Sequence, residues 1–182
     1  MNWRRRTGMA LVAAGALLLG VYAGPTVYGR TMAHLAVAEF RAESRSQSLW
    51  DSARIRAYRR TLGVALPQPE AVLRVARLGI EAPVFEGAGE LQMNRGLGHI
   101  AGTALPGSAS AGSAGNIGIA GHRDGFFRPL KDVRVGDVIE LQQPTGSRER
   151  YVVRATEVIA PSDNAVLRSD GRRRLTLVTC YP

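Results

Sequence analysis

The sequence predicts an all-β domain, a barrel or sandwich of short strands, standing behind one N-terminal helix that crosses a membrane. Three observations carry this reading. The 23 residues from Thr7 to Gly29 contain no charge. Beyond Glu70 the helical period gives way to short runs rich in β-branched residues between turn signals. No helical stretch of about 10 to 15 residues separates those runs, as alternating β and α units would require.

Residues 1–6 read as a basic cytoplasmic tail and residues 7–29 as a transmembrane signal anchor. At about 1.5 Å per residue the uncharged stretch reaches about 35 Å as a helix, enough for a hydrocarbon core of roughly 30 Å. Arg4, Arg5 and Arg6 precede it and only Arg30 follows closely, so the positive-inside rule leaves the N-terminus in the cytoplasm and sends the rest outside. A cleaved signal peptide is the other reading; its apolar stretch is usually about 7 to 15 residues and ends at a small-residue cleavage site. The expected location is the cell membrane, single-pass, with the folded domain extracytoplasmic.

Residues 30–70 continue as a helical stalk or linker, with Leu35, Phe40, Leu49, Ile55 and Leu62 loosely spaced among Arg and Glu. The basic cluster Arg54, Arg56, Arg59 and Arg60 reads as a solvated face, or as a contact with anionic headgroups. Pro67 and Pro69 close this region, because proline lacks the amide proton and disfavours helix in the residue before it. From residue 71 the expected strands are Val72 to Leu78, Ala82 to Phe85, Ile117 to Ala120, Asp137 to Leu141, Tyr151 to Ile159 and Leu175 to Cys180. Gln143 to Ser147, with Pro144 and Gly146, reads as a hairpin loop, and Gly102 to Gly115 as a long loop.

Charge narrows the function classes. Residues 1–66 hold ten basic and three acidic side chains, whereas residues 67–182 hold fourteen and twelve. A nucleic-acid binder carries its basic excess on the folded domain; here it flanks the apolar segment, so no nucleic-acid partner is expected and the membrane is.

One cysteine, Cys180, stands at the end of the last strand-like run. Exported structural cysteines usually pair, so a single one is either a reactive thiol or a chance buried residue. A reactive thiol needs a base, because a free thiol is only about 3% thiolate at neutral pH. Of the three histidines, His34 lies in the polar stalk, and His99 has glycine neighbours that suit a turn. His122 ends the run Gly118-Ile119-Ala120-Gly121-His122 and is followed by Arg123-Asp124-Gly125. Loops at strand ends are where a rigid scaffold presents catalytic groups, although a core histidine is the alternative.

The segment Thr176-Leu177-Val178-Thr179-Cys180 resembles the TLxTC signature of bacterial sortases, and Asn116 to Asp124 looks like the histidine segment of the same family. Phe126, Phe127 and Leu130, Gly98-His99 with Gly102-Thr103-Ala104 and Pro106-Gly107, and Gly136 to Ile139 match class D in order and spacing. The resemblance covers residues 71–182. It implies a sortase-like closed β-barrel and an extracytoplasmic cysteine transpeptidase. Cys180 would attack the threonine carbonyl of an LPxTG-like sorting signal to give a thioacyl enzyme, and His122 would act as acid and then base. Thr179 would contribute to substrate binding, and the segment Ala160 to Arg174 would help to hold the signal. The implied partners are secreted proteins bearing sorting signals and an amine acceptor on the cell wall or a pilin. No cofactor and no metal is expected.

Sortases also carry an arginine on a strand after the cysteine strand, and this sequence closes at Tyr181-Pro182. The sequence-based expectation is therefore a domain whose last strand is missing, with activity in doubt, since losing one oxyanion donor costs about 2.7 to 4 kcal/mol. Arg172, Arg173 and Arg174 are roughly 20 Å or more from Cys180 along an extended strand, which leaves Arg123 as the nearest substitute in sequence. The alternative function is a truncated, non-catalytic sortase-like domain that only binds sorting signals. A papain-like peptidase is disfavoured because the cysteine follows the histidine.

Overall fold

A computed structural model of the chain describes residues 12–13, 50–108 and 114–181. The chain divides into two units, Met1–His34 and Leu35–Pro182. Of the first, Val12 and Ala13 are described, and both are helical and exposed. The rest of the expected anchor at 7–29 and the stalk up to residue 49 lie outside the described residues. No helix among the described residues is long and apolar enough to cross a membrane.

The second unit begins with helix α1 (Ser52–Thr61). Asp51 caps it by accepting the Arg54 amide at 2.8 Å, which satisfies one of the amides a helix start leaves without a partner. Seven strands follow: β1 (Ala71–Val75), β2 (Ile80–Glu86), β3 (Leu97–His99), β4 (Asn116–Ala120), β5 (Val138–Gln142), β6 (Arg148–Val152) and β7 (Arg174–Val178), with a short helix α2 (Glu90–Arg95) between β2 and β3. They form one sheet in the order β6-β5-β1-β2-β3-β4-β7, antiparallel except for β2 with β3 and β4 with β7. The sheet curls into a nearly closed barrel, as expected. Tyr151 of β6 and Leu175 of β7 pack against the same core although their strands are at opposite ends of the strand order.

The core holds Leu73, Val75, Ile80, Val84, Leu97, Ile117, Ile119, Phe127 and Leu141, all 1% exposed or less. Burying a side chain of this kind contributes roughly 1.5 to 3 kcal/mol. Outside the barrel, Arg77 in the turn between β1 and β2 pairs with Asp137 at the start of β5. Asp137 also accepts the Arg134 amide at 2.9 Å. With the Arg77 guanidinium beside it, the Asp137 carboxyl is lowered to about 2.

Several expectations shift. The first strand stops at Val75, and Ala76–Leu78 forms a 3-10 turn. The run expected from Tyr151 to Ile159 is a strand only to Val152; residues 154–160 join no sheet, and Val158 is 72% exposed. His99 is not a turn residue. It ends β3, is buried, and has Nδ1 3.3 Å from the Glu70 carboxylate and Nε2 3.0 Å from both the Ala104 carbonyl and the Thr103 hydroxyl. These contacts make it a structural pin for the segment after β3. The hairpin at Gln143 to Ser147 is as expected, closed by the Gln143 amide donating to the Ser147 carbonyl at 2.9 Å.

Candidate active site

Strands β4 and β7 run parallel in a constant register, from Asn116 beside Arg174 to Ala120 beside Val178. The pairing continues beyond the strands. The Gly121 amide donates to the Val178 carbonyl at 3.1 Å, and the Thr179 hydroxyl donates to the Gly121 carbonyl at 2.9 Å across a separation of 58 positions. His122 and Cys180 have the same separation, each two residues beyond the end of its strand.

Alternation fixes the faces of the two strands. Ile117, Ile119, Leu175 and Leu177 pack on the barrel core, and a Cβ on Gly121 would lie 2.7 Å from Leu97 Cδ2 and Phe127 Cδ2, inside that core. The intervening residues face outward: a Cβ on Gly118 would meet Thr103, Ile100 and Leu167, and the Thr176 hydroxyl donates to Asn116 Oδ1 at 2.8 Å. Ala120 and Val178, the last residues of the two strands, have the parity of this outer face. Cys180 is free and exposed.

Asn116 fixes one wall. Its side chain is fully buried and donates from Nδ2 to the Val166 carbonyl at 2.8 Å, which ties the 3-10 turn Ala165–Leu167 to the floor. The segment Ala160 to Arg174, expected to hold substrate, is therefore anchored beside the β4 and β7 face rather than free of it.

His122 is enclosed on the opposite side. Its side chain is 16% exposed, and its Nε2 is shielded from solvent 3.4 Å from Glu90 Oε2, within ion-pair range but outside hydrogen-bond geometry. Burial lowers its pKa from the ordinary histidine value and the Arg54 guanidinium lowers it further, while Glu90 and Asp124 pull it back. The neutral imidazole is thus favoured near neutral pH, the form able to accept a proton. Arg54 reaches this loop from α1: its Nε donates to Asp124 Oδ1 at 3.0 Å and its Nη1 to Asn94 Oδ1 at 2.5 Å. The headgroup or solvated role expected for Arg54 does not hold, since its side chain is 14% exposed and lies against the domain. Arg56, Arg59 and Arg60 are exposed.

Of the expected site residues, His122 and Cys180 each stand two residues beyond the paired ends of β4 and β7. Thr179 follows β7 and donates its hydroxyl to the Gly121 carbonyl, which joins the segments after β4 and β7. Arg123 is exposed. Sequence reasoning missed Glu90, Asn94, Asn116 and Arg54. Among the described residues no group of three or more His, Cys, Asp or Glu side chains is arranged to hold a metal ion.

A family model described as a sortase domain matches residues 73–182. The chain is 27% identical over 116 residues to Sortase D of Bacillus subtilis, a match covering 63% of this chain and 56% of that protein. It is 30% identical over 129 residues to Sortase SrtE1 of Streptomyces coelicolor, covering 62% of this chain and 36% of that protein. The chain thus spans little more than half, or about a third, of these curated relatives. Among solved structures it resembles a mutant sortase E from Streptomyces avermitilis at 35% identity and a TM-score of 0.53, over 64% of this chain and 83% of that one. Sortase A from Corynebacterium diphtheriae matches at 22% identity and a TM-score of 0.58, over 87% of this chain and 76% of that one, a likeness of fold.

Proposed function

The chain belongs to the sortase family, and from that premise we propose that it is a membrane-anchored cysteine transpeptidase acting on an LPxTG-like sorting signal. The observation that supports the proposal is that His122 and Cys180 follow, by two residues each, the ends of the adjacent parallel strands β4 and β7, which the Thr179–Gly121 hydrogen bond ties together. An exposed thiol beside a largely enclosed imidazole is the pairing that acyl transfer through a thioester needs.

In the first half-reaction the Cys180 Sγ attacks the threonine carbonyl carbon of the signal. His122 takes the Cys180 thiol proton, the C–N bond to the next residue breaks, and His122 passes that proton to the departing amine. The thioacyl enzyme is then attacked by an amine on the cell wall or a pilin. His122 takes the proton of that amine, the C–S bond breaks, and the thiol is restored; water in place of the amine gives hydrolysis. The apolar floor at Ala120 and Val178, walled by Ile100 and Leu167, suits the leucine and proline of such a signal. Thr179 would contribute from its backbone, with its hydroxyl holding Gly121 in place. The uncharged residues 7–29 behind Arg4, Arg5 and Arg6 support a cell-membrane location with this domain outside.

Turnover of a fluorogenic LPxTG-type peptide, with and without an added amine, tests the reading. Cys180→Ala and His122→Ala should each reduce cleavage to background, as removal of one member of a catalytic unit does, a loss of at least about 1,000-fold. Cleavage that persists in either variant rejects this mechanism. Peptide binding that survives Cys180→Ala, with no turnover in the parent chain, would instead establish the binding-only domain.

A further inference from the structure

We infer that Arg54, carried on α1 ahead of the barrel, is a positioning residue for His122, clamping the loop after β4 and helix α2 into one arrangement around the imidazole. The inference rests on the acid and base role proposed for His122. Arg54 and Tyr58 are four apart and share one face of α1, while Trp50 precedes the Asp51 cap. The two aromatic residues seat that face on the domain: the Trp50 ring meets Phe126 edge-on at 5.0 Å and Tyr58 at 5.7 Å, and both Trp50 and Tyr58 are buried. Arg54 is held between two anchors and cannot swing freely.

Its guanidinium joins three elements. Nε and Nη2 both reach Asp124 Oδ1, at 3.0 and 2.8 Å, two residues beyond His122. Nη1 donates to Asn94 on α2 at 2.5 Å, and Asn94 Nδ2 donates in turn to Glu90 Oε2 at 3.5 Å. That same Glu90 oxygen lies 3.4 Å from His122 Nε2. The stem also lies beside the His122 loop, since a Cβ on Gly125 would be 3.7 Å from Arg54 Cδ and 3.4 Å from His122 Cβ. One side chain therefore fixes the loop that carries His122 and the carboxylate that faces it. Lysine has no planar fork and cannot serve both partners in this way.

The charged groups that act on His122 are Arg54 from α1, Glu90 from α2 and Asp124 from its own loop. The test is a titration of the His122 imidazole by NMR in the full chain in detergent micelles, together with peptide kinetics. Arg54→Met should raise the His122 midpoint, because a nearby cation is lost and Asp124 is released. Asp124→Asn should lower it, because an anion is lost and Arg54 remains. General loosening would relieve burial and raise the midpoint in both variants, so opposite signs identify a specific electrostatic and geometric clamp. In Arg54→Lys the midpoint should stay near that of the parent while kcat falls about 10- to 100-fold and KM is unchanged, as expected for a misplaced catalytic group. Equal midpoints in the parent, Arg54→Met and Asp124→Asn chains would overturn the inference, as would same-sign shifts. An Arg54→Lys variant with the parent kcat would also overturn it. A parent chain that turns over no peptide but shows the opposite shifts rejects the transpeptidase reading while the clamp on His122 stands.

Discussion

Replacing Gly121 by alanine tests whether the close approach of the strand end to the core sets the position of His122. The added Cβ would lie 2.7 Å from Leu97 Cδ2, 2.7 Å from Phe127 Cδ2 and 3.0 Å from Phe127 Cγ. Neither neighbour has room to retreat, since Leu97 is 0% and Phe127 1% exposed. The strain must be met by moving one of them or by lifting the Gly121 backbone off Val178, with His122 following. Overpacking of this kind costs about 1 to 3 kcal/mol. At roughly 4 °C per kcal/mol for a domain of this size, Tm should fall by roughly 4 to 12 °C in a calorimetric or circular-dichroism melt. Peptide turnover should fall by about 100-fold if His122 moves by an ångström. Gly63→Ala is the control: nothing lies within 4 Å of its added Cβ, and its effect should be within about 1 kcal/mol. Parent-like melting and turnover in Gly121→Ala would refute the close-packing account of this turn.

Thr179→Val removes the hydroxyl that donates to the Gly121 carbonyl; it should destabilise by about 0.5 to 1.5 kcal/mol in urea unfolding and reduce turnover more than its small effect on stability explains. Leu141→Ala, at a site 0% exposed, should cost about 2 to 5 kcal/mol in the same assay, and a loss below 1 kcal/mol would contradict the assigned core. Asp137 titrates at about 2 in the fold against an ordinary value of 3.8. The unfolded chain therefore binds the proton more readily, so the stabilisation is complete above about 3.8 and is lost as pH falls toward 2. Asp137→Asn should flatten that acid limb in a pH series of thermal melts.

The strands were legible where alternation and turn residues agreed, as in β5, the Gln143 to Ser147 hairpin and β7. β3 escaped notice because Leu97-Gly98-His99 is three residues long and shows no alternation to read. The opposite case is residues 154–160, where Val158 and Ile159 have strand-like chemistry but no ladder partner among the described residues. Pairing makes a strand, and pairing is not a local property. The site divides in the same way. Cys180 and His122 carry motifs that can be read from neighbouring residues. Arg54 sits in a basic cluster like any solvated one, and only the seating of Trp50 and Tyr58 turns it toward Asp124. Asn116 showed its identity but not its task, which depends on a turn 50 positions away in sequence.

Strands β4 and β7 pair across 58 positions of sequence, so the ladder that carries the loops of His122 and Cys180 closes late during folding, after the intervening segment is ordered. Opening of that ladder would separate the two loops while β1, β2 and β5 keep their hydrogen bonds. On the proposed mechanism, peptide turnover should therefore recover later than the circular-dichroism signal when the chain refolds from urea, with a lag set by one ladder rather than by the stability of the whole domain.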